Sequence, residues 1–163
     1  MTGRTDHDAL RLERQLCLTL AVASREVVSL YRPLLEPLGL THPQYLVMVA
    51  LWESDGPLPV KGLSQLLTLE APTLSPLLKR LEAAGFVERR RDPGDARSTL
   101  VGLTPRGDAL REQAAEVPSA IVERIGMSTG ELRSLRDSLT RVIEQTAAWQ
   151  SDTDQRRADA ARG

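Results

Sequence analysis

The chain has 163 residues, 41% hydrophobic and 26% charged with a net charge of −1, a length and make-up that suit one domain or one module with a helical extension. No apolar run approaches the roughly 18 to 20 residues that span a bilayer. The opening MTGRTDHDALRLE also lacks the apolar stretch of a signal peptide, so a cytoplasmic home and no membrane partner are expected. A lone cysteine (Cys17) and two scattered histidines (His7 and His42) offer no internal disulfide and no metal-ligand spacing, so neither a metal nor another cofactor is expected.

Residues 1 to about 8 are polar and expected to be disordered. From Ala9 to about Leu38, Leu12, Leu16, Leu20, Ala23, Val27, Leu30 and Leu34 recur at helical spacing. Pro33 should bend or interrupt this helix near its end. Gly39 closes it, and Thr41-His42-Pro43 opens the next, with Thr41 as N-cap and proline in the first turn. That second helix, Pro43 to about Ser54, is apolar on nearly every side and should be central and buried.

Asp55-Gly56-Pro57 is a turn, Leu58 to Val60 can add a short strand, and VKGLSQLL (60–67) reads as a short helix. Ala71 to Ala84 is the next helix, ended by Gly85. Phe86 to Arg91 and Ser98 to Leu103 read as strands around the turn Asp92-Pro93-Gly94-Asp95. Thr104-Pro105 caps a helix running to about Ile125, with a bend at Pro118. Ser128 and Glu131 form a capping box for a last helix with the stripe Leu132, Leu135, Leu139, Val142 and Ile143. After Trp149 the tail (150–163) has no apolar periodicity and is expected to be disordered.

This order predicts a mainly α fold with a small β-wing. A winged helix-turn-helix covers about 43–104, within a single domain of 9–149 whose outer helices cover about 9–38 and 105–149. Those outer helices cannot bury their stripes on so small a module. They should pack on the same helices of a second chain, as dimerisation helices of a homodimer.

A winged helix-turn-helix offers one helix to a groove of double-stranded DNA and one hairpin to the backbone and adjoining groove. Between Lys61 and Arg106, eight Lys/Arg face five Asp/Glu, a local excess of three in a chain that is otherwise negative. The helix 71–84 presents Thr73 and Ser75 at its leading end, where short hydroxyls can reach base edges or phosphates. Lys79 and Arg80 follow in a later turn and can reach the backbone. Pro72 and Pro76 both read as first-turn prolines. Arg89-Arg90-Arg91 ends one strand, and Asp95-x-Arg97 sits at the tip, where an arginine can enter a narrow minor groove. Asp95 can hold that guanidinium by a charge-assisted hydrogen bond.

The run from Asp95 to Gly107 (DARSTLVGLTPRG) resembles the wing and following helix start of the MarR family of bacterial regulators. The likeness extends over roughly Ala9 to Trp149. It implies a homodimer that binds a pseudo-palindromic operator and represses transcription. The block around Cys17 resembles one branch, the organic-hydroperoxide-resistance regulators (OhrR). It contains Leu16-Cys17, Ser24-Arg25-Glu26, Tyr31-Arg32-Pro33-Leu34-Leu35 and Pro43-Gln44-Tyr45-Leu46, and the segment Thr73 to Glu82 agrees. In that branch organic peroxides oxidise the cysteine and the oxidised protein releases DNA.

A peroxide-sensing thiol must ionise readily, because the thiolate is the nucleophile. The resemblance makes Tyr31, His42 and Tyr45 the candidate groups supporting the thiolate. Tyr31 follows Cys17 by 14 residues on one helix, roughly 21 Å along the axis, so its help must come from the partner chain. The sequence departs from the branch at Ala21 and His42, where relatives have tyrosine. With one cysteine, the expected course is sulfenic acid, then a mixed disulfide with a low-molecular-weight thiol or over-oxidation. No catalytic residue is expected, since no second reactive group supports turnover as a thiol peroxidase. The competing readings are a MarR-type repressor released by a small aromatic or phenolic ligand, with Cys17 incidental, and an architectural DNA-binding protein.

Overall fold

The computed structural model describes the backbone of residues 5–160 and the side chains of 15–157. Residues 1–4 and 161–163, within the termini expected to be disordered, lie outside the described residues. In chain order the elements are α1 (Thr5–Leu35), a 3-10 turn (Glu36–Leu38), α2 (His42–Trp52), β1 (Leu58–Pro59), α3 (Val60–Leu67) and α4 (Ala71–Ala83). The strands β2 (Val87–Arg91) and β3 (Thr99–Leu103) follow, then α5 (Pro105–Ala114), α6 (Val117–Ile125) and α7 (Thr129–Ala160). The chain divides into two compact units, residues 1–121 and 122–163. Among the described residues no helix is long and apolar enough to cross a membrane.

In the first unit the core is organised around α2, which buries Tyr45, Val47, Met48, Leu51 and Trp52. Leu63 of α3, Leu74, Leu78 and Leu81 of α4, and Val87 and Val101 of the sheet close over it, all fully buried or nearly so. Each such aliphatic side chain contributes roughly 1.5–3 kcal/mol. Leu46 departs from the expectation of an all-round buried helix. It is partly exposed and lines a shallow apolar groove with Val49 and Leu66. Thr41 stands at the N-cap of α2 as expected, and a residue the sequence reading did not name completes the closure: Gln44 Oε1 accepts from Thr41 N (2.8 Å) and from the Thr41 hydroxyl (3.1 Å).

The sheet order is β1-β3-β2, antiparallel throughout. Val87 pairs with Leu103 and Arg91 with Thr99, so the hairpin tip spans 92–98. There Asp92 N donates to Ser98 O (3.0 Å) and Ser98 N to Asp95 O (2.8 Å).

Two helix ends set the helix-turn-helix geometry. At the end of α4, Gly85 is left-handed (φ +74°), with its amide on Glu82 O (2.9 Å) and the Phe86 amide on Leu81 O (3.0 Å). That is the two-bond Schellman closure. The same closure ends α3, with Thr68 N on Gln65 O (3.3 Å) and Leu69 N on Ser64 O (3.0 Å). Here a threonine stands in the left-handed position at φ 52°, a conformation that a β-branched residue adopts at a cost.

The wing is seated by Gly107. A Cβ at this position would lie 1.9 Å from the Phe86 carbonyl oxygen. The Thr104 hydroxyl accepts from Gly107 N (3.0 Å) and donates to Gly85 O (2.6 Å), while Thr104 N donates to Phe86 O (3.1 Å). Trp52 Nε1 donates to Gly107 O (3.0 Å) from inside the core. The start of α5 is thereby tied both to α2 and to the turn after α4.

Three expectations need correction. Pro76 is at the sixth position of α4, inside the helix rather than in its first turn. It removes the amide that would bond the Pro72 carbonyl, and Pro72 is exposed to solvent. The helix after the wing breaks at Ala115-Glu116, ahead of Pro118, which takes a first-turn place in α6 where no amide is needed. The tail does not stop at Trp149: residues 150–160 continue α7. The absent apolar stripe removed a packing signal but not helix-forming capacity. Arg156 pairs with Asp152 one turn away (2.6 Å), and the Thr153 hydroxyl donates to Trp149 O (2.8 Å).

In the second unit, α7 opens on the expected capping box. Glu131 Oε2 accepts from Ser128 N (2.9 Å) and its hydroxyl (2.6 Å), which holds the Glu131 carboxyl below its usual range. The helix exposes Leu135, Val142, Ile143 and Trp149, the last at 70%.

Gly107→Ala is expected to lose the native fold, seen as a collapsed or vanished cooperative melt in circular dichroism, because backbone rather than a mobile side chain blocks the methyl. Thr68→Gly should raise stability by about 1 kcal/mol through relief of the left-handed strain. An unchanged or lower Tm would refute that assignment of strain.

Candidate nucleic-acid interface and thiol site

Two groups of expected functional residues lie in the first unit. The first group surrounds α4 and the hairpin. Thr73, Ser75, Lys79 and Arg80 are all exposed on α4, opposite the buried Leu74, Leu78 and Leu81. Arg89, Arg90 and Arg91 of β2, and Asp95 and Arg97 at the tip, are exposed as well. The leading end of α4 carries two short hydroxyls, its later turns carry cations, and the hairpin carries four arginines.

Two side chains differ from the sequence expectation. Asp95 Oδ1 accepts from the backbone amide of Arg97 (3.0 Å) and forms no ion pair with its guanidinium. Together with Gly94 N on Asp92 Oδ1 (2.8 Å), this is turn-capping chemistry. The tip is shaped by these two carboxylates, and the Arg97 side chain is exposed. Arg89 is the other case. Its Nε donates to Glu82 Oε2 (2.9 Å) and its terminal nitrogen reaches the same oxygen, so its guanidinium faces α4. The Arg89 hydrogen bond in turn holds the Glu82 carboxyl below its usual range. Sequence reasoning missed Glu82. The signal was a glutamate seven positions before an inward-facing strand arginine.

The second group is aromatic. Tyr31 of α1 meets His42 with ring centroids 4.6 Å apart and Tyr45 at 5.9 Å, and Tyr45 meets Trp52 edge-on at 6.3 Å. The three residues expected to support a thiolate are therefore gathered within one protomer, at the junction of α1 and α2. Burial raises both tyrosine pKa values above 10.0, helped at Tyr45 by the charges of Tyr31 and Glu53, so both remain hydrogen-bond donors. Burial lowers that of His42 below 6.5. The imidazole is accordingly neutral at neutral pH, where it can support a thiolate only by hydrogen-bond donation. Beside the cluster runs a groove of about 750 Å³, bounded by Arg25, Val28 and Arg32 of α1 and by Leu40, His42 and Pro43.

Cys17 is not part of this cluster. It is exposed on α1, and the helix runs unbroken from Thr5 to Leu35. The axial separation from Tyr31, roughly 21 Å, is thus real. Around Cys17, Leu16 and Leu18 are 55% and 63% exposed, and Val22, Val27 and Val28 are also uncovered.

The MarR family model matches residues 40–99, which span α2 to the start of β3. The Bacillus subtilis organic hydroperoxide resistance transcriptional regulator is 40% identical over 144 residues, covering 88% of this chain and 96% of that protein. The chain belongs to the MarR family. Among solved structures, reduced AbfR bound to DNA superposes with a TM-score of 0.76 at 30% identity, covering 88% of this chain and 99% of that one. Overoxidised AbfR bound to DNA follows at a TM-score of 0.72 and 31% identity, over 87% and 99% of the two chains. This MarR-family chain is closely related to the organic-hydroperoxide-resistance and AbfR regulators, and it shares with them the winged helix-turn-helix.

His42 gives a direct check on the aromatic cluster. Its ring-proton NMR titration should have a midpoint below 6.5, the ordinary value. Because the unfolded chain takes up this proton first as pH falls, stability should decline below about pH 6.5. His42→Tyr should remove that part of the pH dependence. A midpoint above 6.5 would show that burial does not govern this ring.

Proposed function

We propose that this protein is a homodimeric, DNA-binding transcriptional repressor of the organic-hydroperoxide-resistance branch. Oxidation of Cys17 by an organic hydroperoxide releases it from a pseudo-palindromic operator in the cytoplasm. The observation that carries the reading is the separation just described. A cysteine lies exposed near the middle of α1, and a ready-made cluster of phenol and imidazole donors lies at the helix's C-terminal end.

Two-fold symmetry turns that separation into proximity. In an isologous pair, residue i meets residue j and j meets i. Antiparallel packing of two α1 helices about Ser24, midway between Cys17 and Tyr31, places each cysteine opposite the other subunit's Tyr31. The residues at that midpoint are Ala21, Ala23 and Ser24, small enough for close helix approach. Ala21 then acts as packing rather than as a donor. The exposed Leu16, Leu18 and Val22 of α1 supply apolar area that such a dimer covers.

The thiolate attacks the terminal peroxide oxygen. The S–O bond forms as the O–O bond breaks, sulfur loses two electrons to the peroxide, and the alkoxide leaves as the alcohol after taking a proton. Phenols of Tyr31 and Tyr45 and the neutral His42 can stabilise the thiolate by donation and protonate the departing alkoxide. The groove beside them can take the organic group. A low-molecular-weight thiol then condenses with the sulfenic acid, releasing water and leaving a mixed disulfide. An adduct at a helix–helix seam alters the spacing of the two α4 helices, since packed interfaces switch between arrangements.

On the DNA, α4 enters the major groove with Thr73 and Ser75 leading, Lys79 and Arg80 meet the backbone, and Arg97 extends from the wing tip. Arg90 and Arg91 supply further phosphate contacts. The groove near His42 favours one second reading, a repressor released by a small aromatic ligand with Cys17 a bystander.

Mobility-shift titration of the reduced protein on the promoter beside its own gene separates the two. Cumene hydroperoxide should weaken binding at least tenfold, a reducing thiol should restore it, and Cys17→Ser should be indifferent to both. Loss of binding in Cys17→Ser on peroxide treatment, or no loss in the wild type, would defeat the sensor reading. On the DNA side, Arg97→Ala should weaken operator binding by a factor of about ten or more, in line with the roughly 1–3 kcal/mol of a good groove contact.

A further inference from the structure

Arg89 stands in a basic run that reads as a set of phosphate contacts, yet its side chain is already committed. Along β2 the side chains alternate between the two faces of the strand. Val87 is buried, so the face it shares with Arg89 turns toward the body, while Arg90 turns the other way. Arg91 shares that face nearer the tip, and of the three arginines Arg89 is the one that pairs with a carboxylate. Glu82 lies on the last turn of α4, and both donors of Arg89 converge on one of its oxygens. Helix and strand are joined by a three-residue link, Ala84, the left-handed Gly85 and the buried Phe86.

We propose that Glu82 and Arg89 form a strut that holds the β-wing at a fixed angle to the recognition helix, and that Arg89 is a positioning residue rather than a phosphate contact. The joint at Gly85 is a backbone hinge closed by two hydrogen bonds. The strut adds a side-chain tie four residues further along, at Arg89 in the strand, and a small rotation of the hairpin there is magnified at Arg97. The pair also neutralises the carboxylate of Glu82, the acidic group of α4 that would otherwise sit near DNA phosphates. The strut rests on the wing reading above. It goes beyond that reading in separating arginines that touch DNA from one that aims them.

Salt dependence and a double-mutant cycle test the strut. Each phosphate contact adds roughly 0.9 per subunit to the slope of log affinity against log salt. In Arg90→Ala the slope should fall by that amount. In Arg89→Ala the slope should be unchanged while operator affinity falls several-fold. Glu82→Gln should weaken operator binding in the same way, although it removes a negative charge, which by simple electrostatics would strengthen it. Arg97→Ala should cost much less in a Glu82→Gln background than in the wild type, since an unaimed tip has little left to lose. Arg89→Lys should restore part of the affinity.

A slope loss in Arg89→Ala equal to that of Arg90→Ala would overturn the proposal, as would tighter binding by Glu82→Gln. Full additivity of Glu82→Gln with Arg97→Ala would overturn it too, because a general loss of fold quality predicts additivity. If Arg97→Ala alone has no effect, the wing reading itself fails, which is a different outcome. Cooperative thermal melts of each variant keep the affinity data tied to folded protein.

Discussion

Everything on the DNA-facing side of the first unit depends on one close approach, the seating of Gly107 against the carbonyl of Phe86. A side chain there would overlap backbone, so the chain can turn from β3 into α5 at this point only as glycine. The approach lets the Thr104 hydroxyl bridge Gly85 and Gly107, and it presents the Gly107 carbonyl to the buried indole of Trp52. The wing, the end of α4 and the central helix α2 are thereby joined by short hydrogen bonds within a few residues of one another. A buried donor such as the Trp52 N–H is costly to leave unmatched, so this junction has one satisfactory arrangement. The stacking of Arg106 on Phe86, 5.1 Å from its ring centroid, covers the junction from outside.

That junction matters because α2 is shared. At its N-terminal end, His42 and Tyr45 pack on Tyr31; at its C-terminal end, Trp52 holds Gly107. A helix that is buried on most sides behaves as a rigid strut, since close-packed interiors transmit displacement more readily than they absorb it. In the proposed dimer, a chemical change where α1 meets α2 would have one element, α2, between it and the wing. The two proposed activities, reading a thiol's oxidation state and gripping DNA, need no long flexible relay between them.

The fold was largely legible in the sequence because its punctuation is strong. Gly39, Thr41, Gly85, Thr104-Pro105 and Ser128 with Glu131 each set an element boundary by a local hydrogen-bonding rule. Legibility failed where the local signal was weak or atypical. The helical tail beyond Trp149 lacks an apolar stripe but keeps i,i+4 pairing. Pro76 is the sixth residue of a helix that starts at Ala71 in sequence and structure alike, and it is tolerated there because Pro72, whose carbonyl it leaves free, is exposed to solvent. Thr68 gives no compositional hint of a left-handed turn, because that position normally announces itself with glycine.

The candidate site divides along the same line. Tyr31, His42 and Tyr45 were named from a resemblance, and their convergence follows from the short connection between α1 and α2. The roles of Asp95 and Arg89 were not legible, because charge in a sequence does not say whom it faces. Strand alternation supplies that missing fact: once Val87 is known to point inward, Arg89 must as well, and the nearest surface is the last turn of α4. A run of three arginines thus contains two kinds of residue: the pleat puts Arg89 and Arg91 on the face of Val87, and the reach of the last turn of α4 singles out Arg89, which meets Glu82. The same reasoning applies to Asp95, whose carboxylate is satisfied by the Arg97 amide at 3.0 Å. A turn built this way fixes the backbone of the tip and leaves its guanidinium uncommitted, the state required of a side chain that must enter a narrow groove without first breaking a bond.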